Sequence, residues 1–250
     1  MVFDLLTLTA VPTAVGASEA VHQQRILDKE AVSEERKAEF RLHVFCDVQS
    51  RKRDEVHDSI VILRDSKLYI WPKDPDTGLP KADDDGEAPH PFTGFYHPYP
   101  DADLPHRPIP AVPVLGLVST IPPTPAKSSS LSEKSKSTSK SKTTKPKLHW
   151  IYADKSTREL KYGPRAVACE HIIGPWDWTE DEEGLVLDGE ESLVVVEEEK
   201  GGKGWAVYWD RDDDRLKDVG VLEQKRVLRC SLERRLVVEE DSDKIHVEET

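Results

Sequence analysis

Residues 191–210, ESLVVVEEEKGGKGWAVYWD, decide the fold class. Leu193 to Val196 form an apolar run dominated by valine, whose branched Cβ restricts χ1 and favours extended backbone. Lys200-Gly201-Gly202-Lys203 follows, and its paired glycines reach the positive φ that a tight turn demands without steric cost. In the returning run, Trp205, Val207 and Trp209 fall on one face and Ala206, Tyr208 and Asp210 on the other. This is a β-hairpin whose second strand carries bulk on both faces. Such a strand is covered on both sides or lines a cavity.

The flanking sequence continues in the same manner. LHWIYADKSTRELKYG (148–163) predicts a second hairpin turning at Asp154 to Thr157, and RAVACEHII, GLVLDG and KRVLRCSLERRLVV read as further strands. Toward the N-terminus, Phe40, Leu42, Val44, Cys46 and Val48 alternate with polar residues, interrupted by Phe45. SIVILRDSKLYIWP (59–72) predicts a hairpin closed by Arg64-Asp65-Ser66-Lys67. Residues 17–39 lack Gly and Pro and are rich in helix formers, which predicts a helix with few apolar positions.

Between the two β-rich portions the composition changes. Residues 72–126 hold most of the eighteen prolines, which argues against sheet ladders and helix interiors and predicts an irregular wrap. Within it HPFTGFYHPYP (90–100) has enough aromatic area to lie ordered on the domain, while Asp83-Asp84-Asp85 is expected to be mobile. Residues 127–147 are almost entirely Ser, Thr and Lys, with seven lysines and one acid, and bury too little apolar area to offset the entropy of ordering. This predicts a disordered insert.

The chain has 250 residues and a formal net charge of −13. That balance opposes binding of a nucleic-acid backbone, with the Lys127–Lys147 segment as the one basic exception. Cys46, Cys169 and Cys230 are widely separated and form no CxxC, which argues against a zinc ribbon or a disulfide framework and for a reducing compartment. Residues 1–16 are apolar but carry Asp4, Pro12 and Gly16 and lack a basic leader, so they fit neither a secretory signal nor a spanning helix. They leave peripheral membrane contact as a minor alternative.

WDRDDD (209–214) matches a calcium loop at Asp210, Asp212 and Asp214 but places Arg215 where the sharp turn needs Gly and Val221 where a bidentate carboxylate is required. GPWDWTEDEEG (174–184) is a second meeting of tryptophans and acids, expected as an exposed turn after a strand ended by Gly-Pro. His90, His97 and His106 lack zinc-site spacing. No GxSxG, HExxH, GxGxxG or P-loop motif occurs. No cofactor, metal site or catalytic residue is therefore assigned.

GPWDWTEDEEG, the GWAVYWDRDDD hairpin and the closing KRVLRCSLERRL, together with the VHQQ helix and the YIWP hairpin, resemble a family of uncharacterised proteins from filamentous fungi. The resemblance implies lineage and carries no activity, cofactor or partner with it.

The sequence thus predicts a mainly β protein, a β-sandwich or partly open barrel of antiparallel hairpins, with an N-terminal helix. Residues 1–39 form the apolar segment and helix, and 40–71 with 148–238 a discontinuous β-domain. Residues 72–126 are the wrap, 127–147 the insert and 239–250 an acidic tail. Two separate domains are the alternative, though a three-strand N-terminal unit would have a very small core. The expected function is that of a noncatalytic cytoplasmic protein-binding or scaffold protein, holding a protein partner through Phe92, Phe95, Tyr96 and Tyr99 and through Trp176, Trp178, Trp205 and Trp209. The competing expectation is a small enzyme or ligand carrier in which the tryptophans line a pocket and Asp177 or Asp210 handles a proton.

Overall fold

The computed structural model describes residues 34–83, 86–100, 114–121, 147–199, 204–219 and 225–237. Thirteen strands are described: β1 (Phe40–Phe45), β2 (Ser59–Arg64), β3 (Lys67–Pro72), β4 (Gly94–Pro98), β5 (Leu115–Ile121), β6 (Lys147–Ala153), β7 (Leu160–Gly163), β8 (Trp176–Trp178), β9 (Leu185–Leu187), β10 (Leu193–Glu199), β11 (Gly204–Trp209), β12 (Val227–Arg229) and β13 (Ser231–Leu236). Three single-turn helices accompany them, α1 (Glu34–Lys37), α2 (Arg53–Val56) and α3 (Arg165–Ala168).

The ladder runs β3-β2-β1-β4-β5-β6-β7, and β7 returns to pair with β3. These seven strands close on themselves, so the protein is mainly β and built on a closed barrel, which leaves no free edge around the ring. The β10–β11 hairpin joins through β11 at β3, β12 continues from β10, and β13 pairs along the whole of β1.

Alternation along the strands sorts side chains into an inner and an outer core. Val61, Leu63, Leu68, Ile70, Leu193, Val195, Trp205, Val207 and Trp209 face the main core. Their neighbours Ile60, Ile62, Tyr69, Trp71, Val194, Val196, Ala206 and Tyr208 form a second cluster on the opposite face. A strand buried on both faces needs apolar residues at consecutive positions, which is what SIVIL and LVVV supply. A third cluster, with Tyr99, Val118, Trp150 and Tyr152, covers the outside of β5 and β6.

One turn design recurs. After β3, the Asp74 carboxylate accepts hydrogen bonds from the backbone N–H of Asp76 (2.9 Å) and Thr77 (3.3 Å). After β6, Asp154 accepts from the N–H of Ser156 (2.9 Å) and Thr157 (3.1 Å). In both, the residue four places on (Gly78, Arg158) has positive φ and bonds back to the aspartate carbonyl at 2.9 Å. After β11, Asp210 does the same over a longer loop, accepting from the N–H of Asp214, Arg215 and Leu216. Three hairpins, β2–β3, β5–β6 and β10–β11, therefore each deliver the chain into an aspartate-organised turn.

Several expectations are corrected. The proline-rich segment is not merely a wrap, because β4 and β5 lie within it and complete the barrel. Its prolines cluster in the connections, so the proline-free run LGLVSTI is free to make a full ladder with β6. RAVACEHII is not a strand: Pro164 supplies the φ of −65° that precedes a helical turn, and α3 follows with Cys169 N–H bonded to Arg165 O. KRVLRCSLERRLVV is two strands, because its halves pair with different partners, β12 with β10 and β13 with β1. WDW is itself a strand, β8, paired with β9, and the acids after Thr179 form the turn between them. The helix expected over 17–39 lies outside the described residues except for α1, as do nearly all of the 127–147 insert, the Lys200–Lys203 turn and the tail.

Candidate functional site

Six of the eight aromatic residues expected to bind a partner are core side chains. Phe92, Tyr96, Tyr99, Trp176, Trp205 and Trp209 are buried. Phe92 and Tyr96 pack around Phe40 at centroid distances of 6.0 and 5.4 Å, and Tyr99 packs edge-on against Trp150 at 4.7 Å. Burial removes them from any docking surface. Phe95 remains partly exposed. Two guanidinium groups lie over the Trp178 ring, Arg36 at 4.7 Å and Arg234 at 4.0 Å, and Tyr96 meets it in a T-shaped contact at 5.0 Å. Arg36 also holds Asp177 at 2.8 Å. This cation–π stack ties α1 to the barrel, each contact contributing about 0.5–2 kcal/mol.

The acids assigned to proton work are engaged in structure. Asp177 is paired with Arg36. Asp210 is 2% exposed and receives three backbone N–H donors from its own loop, where Asp213, Arg215 and Leu216 have positive φ. Its carboxylate satisfies amides that the strained loop would otherwise leave bare.

The densest cluster of charge lies where the barrel closes. β3 and β7 share one ladder pair, Lys67 opposite Lys161, extended by a bond from Tyr162 N–H to Ser66 O (3.1 Å), and β11 has one ladder pair with β3, Ala206 opposite Tyr69. Two directly opposed lysines repel, and Glu159 resolves this by reaching Lys67 at 2.5 Å and Lys161 at 2.8 Å. Lys161 also holds Asp154 at 2.9 Å, and Lys67 holds Glu198 at 3.0 Å. Tyr208 donates its one proton to Glu198 (2.6 Å), with Glu159 3.2 Å from the same hydroxyl, and Tyr69 donates to Glu198 (3.0 Å).

Burial alone would push the Glu159 carboxyl up, but hydrogen bonds from Lys161, Lys67 and Thr157 outweigh it and hold the group at about 2. Burial likewise opposes charge on Asp154 and Glu198, and their donors hold both below the ordinary carboxylate range. Burial and the adjacent carboxylates push the Tyr208 hydroxyl far up. Every charge here is answered, and no group is poised to exchange a proton near neutrality. The cluster reinforces a seam that has few backbone bonds.

A second region has the opposite character. An open cavity of about 390 Å³ is lined by Phe45, Val48 and Leu193 on its apolar side and by Asp47, Glu191 and Glu233 among its polar residues. It lies where the end of β1, the start of β10 and the β12–β13 junction meet. Its one cation, Arg229, is turned to Asp213 at 2.6 Å. Burial raises the Glu233 carboxyl; Arg235 opposes this, while Glu183, Asp181 and Glu191 add to it. The region is an acidic rim around an apolar floor, in which Arg235 pairs with Glu233 at 2.9 Å and the Ser231 hydroxyl donates to Glu191. Sequence reasoning missed it because its lining comes from three separate segments. The Phe45 that breaks the alternation of β1 was the one signal, since a large apolar residue out of phase faces away from the core.

Among the described residues, no group of three or more His, Cys, Asp or Glu side chains is arranged to hold a metal ion, and no helix is long and apolar enough to cross a membrane.

The described strands form a closed seven-strand β-barrel, and three antiparallel pairs, β2–β3, β5–β6 and β10–β11, are each followed by a turn organised by an aspartate carboxylate. The family model of the fungal beta-trefoil domain matches residues 16–238, and the chain belongs to that family. No curated protein and no solved structure matches it significantly.

Proposed function

We propose that this protein is a noncatalytic cytoplasmic binding module, and that its partner is a protein segment carrying basic residues among apolar ones, received in the acidic groove of Phe45, Val48, Leu193, Glu191 and Glu233. The observation that carries the reading is charge complementarity. Acids crowd a groove of about 390 Å³ whose only lining cation is already paired. Glu233 is held up by burial and by neighbouring acids although Arg235 sits on it at 2.9 Å, so an incoming cation adds to a rim whose acids still raise one another. The apolar floor receives the stem of a lysine or arginine while the rim receives its charge. The strongly paired network at the barrel seam supports the noncatalytic part, because its groups are spent on each other. Three cysteines without a CxxC spacing agree with a reducing cytoplasm.

The test uses a short synthetic peptide of alternating leucine and lysine, titrated into the full chain and followed by amide NMR shifts. Expected are shifts at Phe45, Val48 and Leu193, and at least a fivefold loss of affinity in Glu191→Gln/Glu233→Gln. A control pair of exposed acids elsewhere, Asp76→Asn/Glu87→Gln, leaves affinity nearly unchanged. Equal losses in the two pairs would mean that only the net charge attracts the peptide, and the groove assignment would fall.

A further inference from the structure

We propose that Cys46 and Cys230 are a latent cross-strand disulfide, a site of reversible covalent modification at the floor of the groove. The register of β1 with β13 runs from Phe40 opposite Leu236 to Phe45 opposite Ser231. One residue further in the same register sets Cys46 opposite Cys230. Both are free, buried and members of the same core cluster, and each thiol lies within electrostatic reach of the other.

Their backbone bonds support the pairing. Cys46 N–H donates to His57 Nδ1 (3.2 Å) and Cys230 N–H to Leu193 O (3.4 Å), so neither donates to the other. Directly opposed residues of an antiparallel pair that exchange no hydrogen bonds have Cα atoms about 4.5 Å apart, inside the range of about 4.4–6.8 Å that a disulfide accepts. Arg53 Nε, bonded to Cys46 O at 2.8 Å, fixes the backbone on one side. Cys230 lines the open groove, whereas Cys46 is fully buried, so a reagent reaches Cys230 first.

The chemistry needs an oxidant, and a small disulfide such as oxidised glutathione supplies it. The Cys230 thiolate attacks one sulfur of the small disulfide, an S–S bond forms to the protein, and one thiolate leaves and takes up a proton. Cys46, having lost its proton to solvent, then attacks the Cys230 sulfur and expels the second small thiol. Two protein thiols are oxidised, one small disulfide is reduced to two thiols, and the atoms balance. Burial keeps the Cys230 thiol protonated, which makes the reaction slow at neutral pH and keeps the pair reduced in a reducing compartment.

The inference does not depend on what the groove binds. Its test is refolding of the full chain in a mixture of reduced and oxidised glutathione, which removes the access barrier, followed by alkylation, digestion and mass mapping. The expected product joins Cys46 to Cys230 at least tenfold over either pairing with Cys169, and it raises the melting temperature relative to the reduced chain. Cys169→Ser, with its thiol on the α3 side of the molecule, is expected to give the same product. A statistical mixture of the three pairings, a glutathione adduct at Cys230 that does not proceed, or a product that melts lower than the reduced chain would each overturn the proposal.

Discussion

The seam where β3, β7, β10 and β11 meet and the groove where β1, β10, β12 and β13 meet both collect acids, yet they use them in opposite ways. At the seam, Lys67 and Lys161 stand between Glu159, Glu198 and Asp154, and two tyrosines donate to the remaining lone pairs. In the groove, Asp47, Glu191 and Glu233 line one cavity whose cation Arg229 is drawn to Asp213, and of the three only Glu233 has an ion pair among the described residues, with Arg235 at 2.9 Å. A carboxylate answered by donors stabilises the fold, whereas one crowded by its own kind costs stability until a partner arrives. The difference separates charge that builds the protein from charge available for recognition.

The sharpest way to break the comparison is Glu159→Gln. It removes the one group that bridges both lysines, each of which keeps a second carboxylate, so a loss on the order of 1–2 kcal/mol is expected. Denaturant unfolding of the variant beside wild type reads this directly; a change below about 0.5 kcal/mol would place the seam among ordinary surface pairs. Asp210→Ala comes next. Three amides lose their acceptor in a loop of positive φ, and a loss of about 2 kcal/mol is expected, with early hydrogen exchange confined to residues 211–216.

The pH dependence follows from the same groups. Glu159, Asp154 and Glu198 have folded values below their unfolded ones, so their contribution is present above about pH 5 and disappears as pH falls toward 2. Lys67 and Lys161 are raised, so theirs is present below about pH 10 and is lost above it. A plateau of stability between these limits, lower and with a shallower fall on its acid side in Glu159→Gln, is the expected profile in thermal melts across pH. Glu233 has the reverse sign. Its raised carboxyl favours folding when protonated and costs stability when charged, so Glu233→Gln is expected to be neutral or stabilising by about 0.5 kcal/mol at pH 7. A clear destabilisation would show that its contact with Arg235 outweighs the crowding.

Much of this was readable in the residues, and the failures have physical causes. The hairpins at 59–72, 148–163 and 191–210 were legible because valine and isoleucine runs, period-two alternation and turn residues all point the same way. Bulk on both faces of β11 correctly announced that it is covered on both sides. The aromatic residues were misjudged as surface because Phe92, Tyr96 and Tyr99 sit among prolines and histidines, whose polarity and irregularity suggest a loop. β4 shows that a five-residue strand between prolines can still deliver Tyr96 into the core. The repeated turn escaped notice because its sequences, DPDTGL, DKSTREL and DRDDDRL, share little beyond the leading aspartate and the closing leucine. They look alike only once the backbone N–H groups are seen to converge on the carboxylate.

By itself, the sequence determined that this chain is mainly β, which segments turn, that familiar catalytic motifs are missing, and that Arg215 and Val221 depart from the calcium-loop pattern that begins at Asp210. Those conclusions rest on local physics, since side-chain branching, glycine φ and motif spacing act within a few residues. Only the tertiary structure decided that the ring closes through Lys67 and Lys161, that Cys46 and Cys230 share one core cluster, and that Asp47, Glu191 and Glu233 line one groove. Each joins groups tens to nearly two hundred residues apart, and no local preference encodes which distant charge or thiol will be the neighbour.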